Sequence, residues 1–356
     1  MKHGRHANVS IFVPHVGCPH QCSFCNQRSI SGAQKAPTPD EVTQVCQQAA
    51  QQMGPAAREA QIAFFGGSFT AIPCPQMIAL LEAAAPFVRS GTFAGIRCST
   101  RPDAITPEIL QLLRDYGVTA VELGAQSMDD RVLRCNGRGH TATQTEEACR
   151  QIRQAGLELG LQMMTGLDGD TPETAWETAY KIAALRPDTL RIYPTLLIRG
   201  TPLEERWREG SYRPQTLEEA VELCSGLLAF FDQQTISVIR LGLQASPTLE
   251  RDLLAGPYHP AFRELCESRI YLRRAQEALE QANLPAGEGA VLLVTPRALS
   301  AMVGQKRQNL LALEALGWPV QAKPDPNLAP YQVRAISWRE YRLRKSNRKE
   351  GQGPCS

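Results

Sequence analysis

For more than 200 residues of this 356-residue chain, short apolar runs of strand length alternate with amphipathic stretches of helical period. That alternation restricts the fold to repeated βα units around a parallel sheet. The strand-like runs are 9–13, 61–65, 95–99, 120–124, 157–164 and 189–194. Helical patterns over 42–53, 109–116 and 174–185 follow Thr38-Pro39-Asp40-Glu41, Thr106-Pro107-Glu108 and Thr171-Pro172-Glu173. In each, a threonine oxygen can accept from a free N–H of the first turn, the proline needs no donor there, and the acid meets the positive end of the helix. Gly54, Gly117 and Gly156 sit where these helices should stop. Six strands with crossover helices predict an α/β protein: a partial (βα)6 barrel of the TIM type, with a small C-terminal α/β appendage. Such sheets place chemistry at the carboxyl ends of the strands, where Gly66, Ser99, Gln126 and Gly166 fall.

The chain is long enough for a barrel-sized core plus a smaller unit. Residues 1–244 are expected to form the core domain, 245–289 a helical linker region, 290–337 a small α/β unit and 338–356 a basic tail, with 200–214 linker-like. Hydrophobic residues at 43% and charged residues at 21% fit a globular protein, and the 25 prolines are not gathered in a tract. No apolar run approaches the roughly 20 residues that span a bilayer, and residues 1–8 carry His and Arg without an apolar signal core, so a cytoplasmic location without a membrane partner is expected.

Three of the 11 cysteines are crowded into one loop, Gly17-Cys18-Pro19-His20-Gln21-Cys22-Ser23-Phe24-Cys25, directly after the first strand. Three thiolates at this spacing can wrap one [4Fe-4S] cluster, whereas four are needed to close every iron. The remaining iron is then free to bind a molecule that reacts, as at an open catalytic metal site. A zinc site completed by His15 or His20, or three neighbouring structural thiols, are the alternatives. The other cysteines, including Cys46, Cys74, Cys98, Cys135, Cys149 and Cys224, are scattered through helices and strands and are expected to act as small core hydrophobes.

The CxxxCxxC loop with an aromatic before its last cysteine resembles the signature of radical S-adenosylmethionine (SAM) enzymes. Over roughly residues 11–214 the chain is similar to the radical SAM domain of the catalytic subunit of Elongator, a tRNA wobble-uridine modifying enzyme. The similar segments are Phe64-Phe65-Gly66-Gly67-Ser68-Phe69-Thr70, Thr100-Arg101-Pro102-Asp103, Val121-Glu122-Leu123-Gly124-Ala125-Gln126-Ser127, Arg138-Gly139-His140-Thr141 and 190–202. A more distant similarity is to oxygen-independent coproporphyrinogen dehydrogenase. The resemblance implies that Cys18, Cys22 and Cys25 hold a [4Fe-4S] cluster, that SAM binds its open iron, and that an electron from a flavodoxin or ferredoxin type of donor releases a 5'-deoxyadenosyl radical. It further implies SAM contacts from Gly66, Gly67 and Ser68, where glycine lets backbone approach a ligand, and from Gln126, Arg138 and Met164 with the strand end Thr165-Gly166. A glutamine that closes a turn and an exposed arginine are the plainer readings of Gln126 and Arg138. Where the Elongator family often has Glu before Thr-Arg-Pro-Asp, this chain has Ser99, so a contact is expected either to be missing or to come from Glu122. Beyond Gln244 no Gly-rich acetyl-CoA loop is found, so acetyl transfer by these residues is not expected.

Net charge is only +2, but basic side chains gather late: Arg334, Arg339, Arg342, Arg344, Lys345, Arg348 and Lys349 stand against Glu340. Two helical patterns joined through Gly304-Gln305-Lys306-Arg307 are similar in outline to a KH domain, with Arg307 in place of the second glycine. Together these offer contacts to the phosphates of tRNA or another RNA. Tyr331, Trp338 and Tyr341 either stack on bases or pack the tail. The readings left open are an RNA-modifying radical SAM enzyme, a radical SAM enzyme acting on a small molecule such as a tetrapyrrole, and a non-catalytic iron–sulfur or zinc protein that binds RNA.

Overall fold

The computed structural model describes residues 7–14, 18, 22–26, 29–30, 35–284, 287 and 289–350, with side chains to 344. His15 and His20 lie outside the described residues. The chain divides into two compact units, 1–220 with 230–260 and 221–229 with 261–356.

The first unit is built on β1 (Ala7–Val13), α1 (Pro39–Met53), β2 (Ala60–Gly66), α2 (Cys74–Arg89), β3 (Gly95–Thr100), α3 (Pro107–Asp115), β4 (Val118–Gln126), α4 (Asp130–Cys135), α5 (Ala142–Gln154), β5 (Glu158–Thr165), α6 (Pro172–Ala184), β6 (Thr189–Pro194), β7 (Leu197–Ile198), α7 (Pro202–Arg208), the two ends of α8 (Leu217–Gln233), whose residues 221–229 count with the second unit, β8 (Ser237–Leu241), α9 (Pro247–Asp252) and β9 (Leu253–Ala255). Seven of these strands form one sheet in the order β1-β2-β3-β4-β5-β6-β8, every pair parallel. This is the curled half-barrel of α/β class that the alternation predicts, with a seventh strand, β8, added beside β6. The threonine caps form as expected: Thr38 and Thr171 close capping boxes and Thr106 accepts from the Ile109 N–H. The linker-like 200–214 instead contains α7. Pro202 occupies its first turn, Glu204 and Glu205 precede Arg206 and Arg208 along it, and Leu203 is buried, so the segment has the charge order and apolar anchor of a helix.

The second unit contains α10 (Phe262–Gln281), β10 (Ala290–Val294), α11 (Leu299–Val303), α12 (Gln308–Ala315), β11 (Val320–Pro324), β12 (Arg334–Ser337) and α13 (Trp338–Glu350). Its sheet runs β11-β10-β12, with β10 parallel to β11 and antiparallel to β12. Lys306 and Arg307 are exposed in left-handed conformations, φ 50° and 64°, beside Gly304 at φ 75°. Buried Asn309 fixes this turn by donating to Ser268 and to the Ala301 and Met302 carbonyls. Tyr331 packs against Tyr271, and Trp338 and Tyr341 pack under Ile336 and Leu328, so these rings serve the unit's own core. Cys46, Cys98, Cys149 and Cys224 are buried as expected, but Cys74 and Cys135 are exposed: Cys74 is the first residue of α2 and Cys135 the last of α4.

Candidate functional site

The cysteine loop reaches the top of the sheet through a buried polar anchor. Ser23 donates its Oγ proton to Asn136 Oδ1 at 2.6 Å and its N–H to the Asn136 carbonyl, while the Ser23 carbonyl accepts from Leu203 N–H. Asn136 in turn donates to the Val132 and Asp168 carbonyls, so the end of α4, the loop after β5 and the start of α7 all fix the loop. Cys18, Cys22 and Cys25 line one cavity of about 110 Å³ together with Gly66, Gly67, Ser68, Ser99, Gln126 and Arg138. Among the described residues no three His, Cys, Asp or Glu side chains converge at metal-ligand distance. The fold thus gathers the thiols around one cavity and not onto one point.

Each strand end contributes a distinct feature. At the end of β2, Gly66 has φ +110°, and a side-chain carbon there would stand 3.2 Å from the Val13 carbonyl oxygen. Gly67 donates its N–H to the same carbonyl at 2.8 Å, which draws the turn against β1. Ser68 lies 3.8 Å from the Cys18 sulfur. At the end of β4 a register shift between Gly124 and Gln126 leaves Gln126 at φ 64°, in the left-handed region that an L-residue seldom takes. Its Oε1 is buried and has no partner among the described residues. Buried Arg138 donates Nη1 to the Cys22 sulfur at 3.1 Å and Nη2 to the Gly124 carbonyl at 2.6 Å, and among the described residues its Nε is without a partner.

Sequence reasoning alone missed what holds Arg138. Arg101 makes a two-pronged pair with Asp103 at 2.8 and 2.9 Å and also donates to the Arg138 carbonyl at 2.7 Å. Thr70 bonds the Thr100 hydroxyl and the Ala104 carbonyl, so Gly-Gly-Ser-Phe-Thr and Thr-Arg-Pro-Asp brace each other. Neighbouring His140 is held neutral: burial, with help from the Arg138 charge, lowers its pKa to about 4.

A model of the radical SAM superfamily matches residues 12–182, and a model described as the Radical_SAM C-terminal domain matches 187–272. The chain belongs to the radical SAM superfamily. It is 37% identical over 123 residues to tRNA uridine(34) acetyltransferase of Dehalococcoides mccartyi, covering 34% of this chain and 27% of that protein. It is 33% identical over 181 residues to Elongator complex protein 3 of Homo sapiens, covering 49% and 32%. Among solved structures it superposes on Methanocaldococcus infernus Elp3 lacking its N-terminus with TM-score 0.59 and 20% identity, over 76% of this chain and 63% of that one, a likeness of fold. The chain spans about a quarter to a third of the length of these curated relatives.

Membership in the radical SAM superfamily implies an iron–sulfur cluster and SAM, and the residues present suit them. Thiolates are the donors such clusters require. The unpartnered Gln126 Oε1 and Arg138 Nε supply one acceptor and one donor at buried positions beside the cavity. Gly66 and Gly67 line the cavity, and at Gly66 a side-chain carbon would crowd the Val13 backbone. Met164 lines a second, adjoining cavity of about 490 Å³ that shares Cys25, Gly66, Ser99 and Gln126 with the first and runs down the interior of the sheet. That size lies within the usual range for small-ligand sites.

Ser99 faces both cavities, and Gln162 Nε2 donates to its Oγ at 3.4 Å. Glu122 does not replace the family's glutamate. Its fully buried carboxylate takes Arg97 at 3.0 Å and Arg191 at 2.8 Å, with Gln162 as a third partner, and lines neither cavity. Burial would raise this carboxyl's pKa, but Arg191 and Arg97 together hold it below the ordinary value. Glu158 closes the network by accepting from Arg97 at 2.6 Å.

Proposed function

We propose that this radical SAM enzyme modifies tRNA or another RNA. Cys18, Cys22 and Cys25 would hold the [4Fe-4S] cluster, the Gly66-Gly67-Ser68 turn, Ser99, Gln126 and Met164 would contact SAM, and Arg138 would secure the Cys22 sulfur. The chemistry supplied by the bound pair is reductive cleavage of SAM, which begins hydrogen abstraction from a reactant. The chain's own part is placement. Gly66 and Gly67 offer the ligand main chain without side chains, Gln126 is pre-set by its bulge, and the Phe24 side of the cavity is apolar. A flavodoxin or ferredoxin would deliver the electron, in the cytoplasm.

The observation that carries the reading is the single cavity shared by three thiols, the glycine turn and Gln126, open to a larger space inside the barrel. The RNA substrate is supported by the relatives' own names and by exposed Lys306, Arg307, Arg334, Arg339 and Arg342 on the second unit. In this reading residues 1–244 form the catalytic domain, 245–289 a connecting region, and 290–337 with the tail to 356 the RNA-holding part. The test is a comparison of tRNA nucleosides from cells with and without the gene, joined to co-purification of nuclease-sensitive RNA. A missing modified nucleoside, and RNA retention that falls steeply with salt and on changing Lys306 and Arg307 to Ala, are expected. Unchanged nucleosides and no RNA affinity would favour a small-molecule substrate, which the size of the inner cavity also suits.

A further inference from the structure

The inner cavity carries an unbalanced positive charge. Its wall includes Arg191 of β6 and Arg240 of β8 and, among the described residues, no aspartate or glutamate. The two arginines are register partners on adjacent parallel strands, so their side chains leave the same face of the sheet as neighbours. Like charges so placed repel each other unless something between them is negative.

Behind the wall the accounts close without Arg240. Arg97 and Arg191 face two carboxylates, Glu122 and Glu158, and Arg191 also lies over the Phe65 ring at 4.8 Å. Arg240 is half-buried and donates to neutral Gln244 at 3.1 Å; among the described residues it has no carboxylate at ion-pair distance. The surrounding wall mixes apolar Phe12, Leu196, Ile198 and Leu243 with neutral Asn8, Ser10, Ser99 and Gln126, none of which offers an opposite charge.

We infer that Arg240, with Arg191 beside it, holds the carboxylate or phosphate of a small anionic co-reactant in the barrel interior. Its guanidinium offers the paired donors that both groups accept. The purpose of that co-reactant rests on the radical SAM reading, but its binding needs no cluster, so failure here and failure of that reading are separable.

The experiment is calorimetric titration of the full chain at low ionic strength with malonate and with inorganic phosphate, in the wild type, Arg240→Gln, Arg240→Lys and Gln244→Glu. One of the two anions should bind, which identifies the group. Arg240→Gln should weaken it at least about tenfold, as expected for loss of a charged hydrogen bond. Arg240→Lys should fall between. Gln244→Glu leaves the arginine in place but puts a carboxylate on it, and should weaken binding to a similar degree even if Arg240→Gln fails to fold. Thermal melting reports folding. The inference is overturned if neither anion binds the wild type, if the folded variants bind as the wild type does, or if S-adenosylhomocysteine affinity falls in parallel, which would assign Arg240 to the SAM site.

Discussion

Glu122→Gln keeps the shape of the buried side chain and removes its charge. In the wild type this carboxylate, 1% exposed, neutralises Arg97, which is wholly buried, and Arg191, which is 12% exposed. After the change Arg97 keeps Glu158, but Arg191 has no carboxylate left in the network. Removing one partner of a buried ion pair costs about 3–5 kcal/mol, chiefly because the other charge stays buried and unpaired. For a folded unit of this size about 2–4 °C of Tm is lost per kcal/mol, so at the lower figure the melt should fall by about 6–12 °C. The assay is circular-dichroism melting at pH 7, with Glu158→Gln as control. Glu158 is 27% exposed and among the described residues pairs with Arg97 alone, so its loss should cost about 1 kcal/mol. Acid adds a second signature. Glu122 titrates below its ordinary 4.5 in the fold, so its contribution is present above pH 4.5 and is lost as pH falls through the folded value. Wild type should therefore lose stability in acid faster than Glu122→Gln. A Glu122→Gln melt within about 2 °C of wild type, or a Glu158→Gln loss as large, would refute the view that one buried carboxylate balances two arginines.

Arg138→Met removes the donor to the Cys22 sulfur while keeping most of the packing volume, and iron retained per chain after anaerobic reconstitution should show affinity weaker by about 10- to 100-fold, the usual effect of losing a ligand's supporting partner. Gly66→Ala places a methyl against the Val13 carbonyl at φ +110° and should destabilise the fold by about 1–3 kcal/mol in urea titration, whereas Gly91→Ala, at φ +73° with nothing around it, should cost less. His140 stays neutral in the fold down to about pH 4 while the unfolded chain takes up a proton near 6.5, so stability should decline as pH falls from 6.5 towards 4, and His140→Gln should remove that part of the acid dependence in melts taken across the interval.

The parts of the fold legible from sequence are those where local chemistry and burial agree. β6 matches the expected run at both ends, and the other expected strands lie within two residues of theirs. Threonine, proline and acid in succession marked three helix starts because that order satisfies free N–H groups without tertiary help. α2 lacks such a mark: it starts at Cys74-Pro75 with no side-chain cap and is held by its apolar face, Met77, Leu80, Leu81 and Ala84. β8 was hidden for a related reason, since Ser237-Val238-Ile239-Arg240-Leu241 is only half buried and its arginine reads as a surface residue. At the site, spacing pointed to the thiols, and the family resemblance to the glycine turn, Gln126 and Arg138. They could not show Arg138 on the Cys22 sulfur, the Ser23–Asn136 anchor, or Glu122 committed to Arg97 and Arg191. Each of these joins residues from different βα units, and only the closed sheet brings them together.

The account turns on what the three cysteines carry. The most direct measurement is metal content together with 5'-deoxyadenosine formation from SAM, after anaerobic reconstitution with iron and sulfide and reduction by dithionite, in the wild type and in Cys22→Ala. The account predicts a brown protein with a reducible [4Fe-4S] cluster that releases 5'-deoxyadenosine, and loss of both in the variant. Tightly held zinc without colour, or a filled cluster that leaves SAM intact in wild type and variant alike, would contradict it.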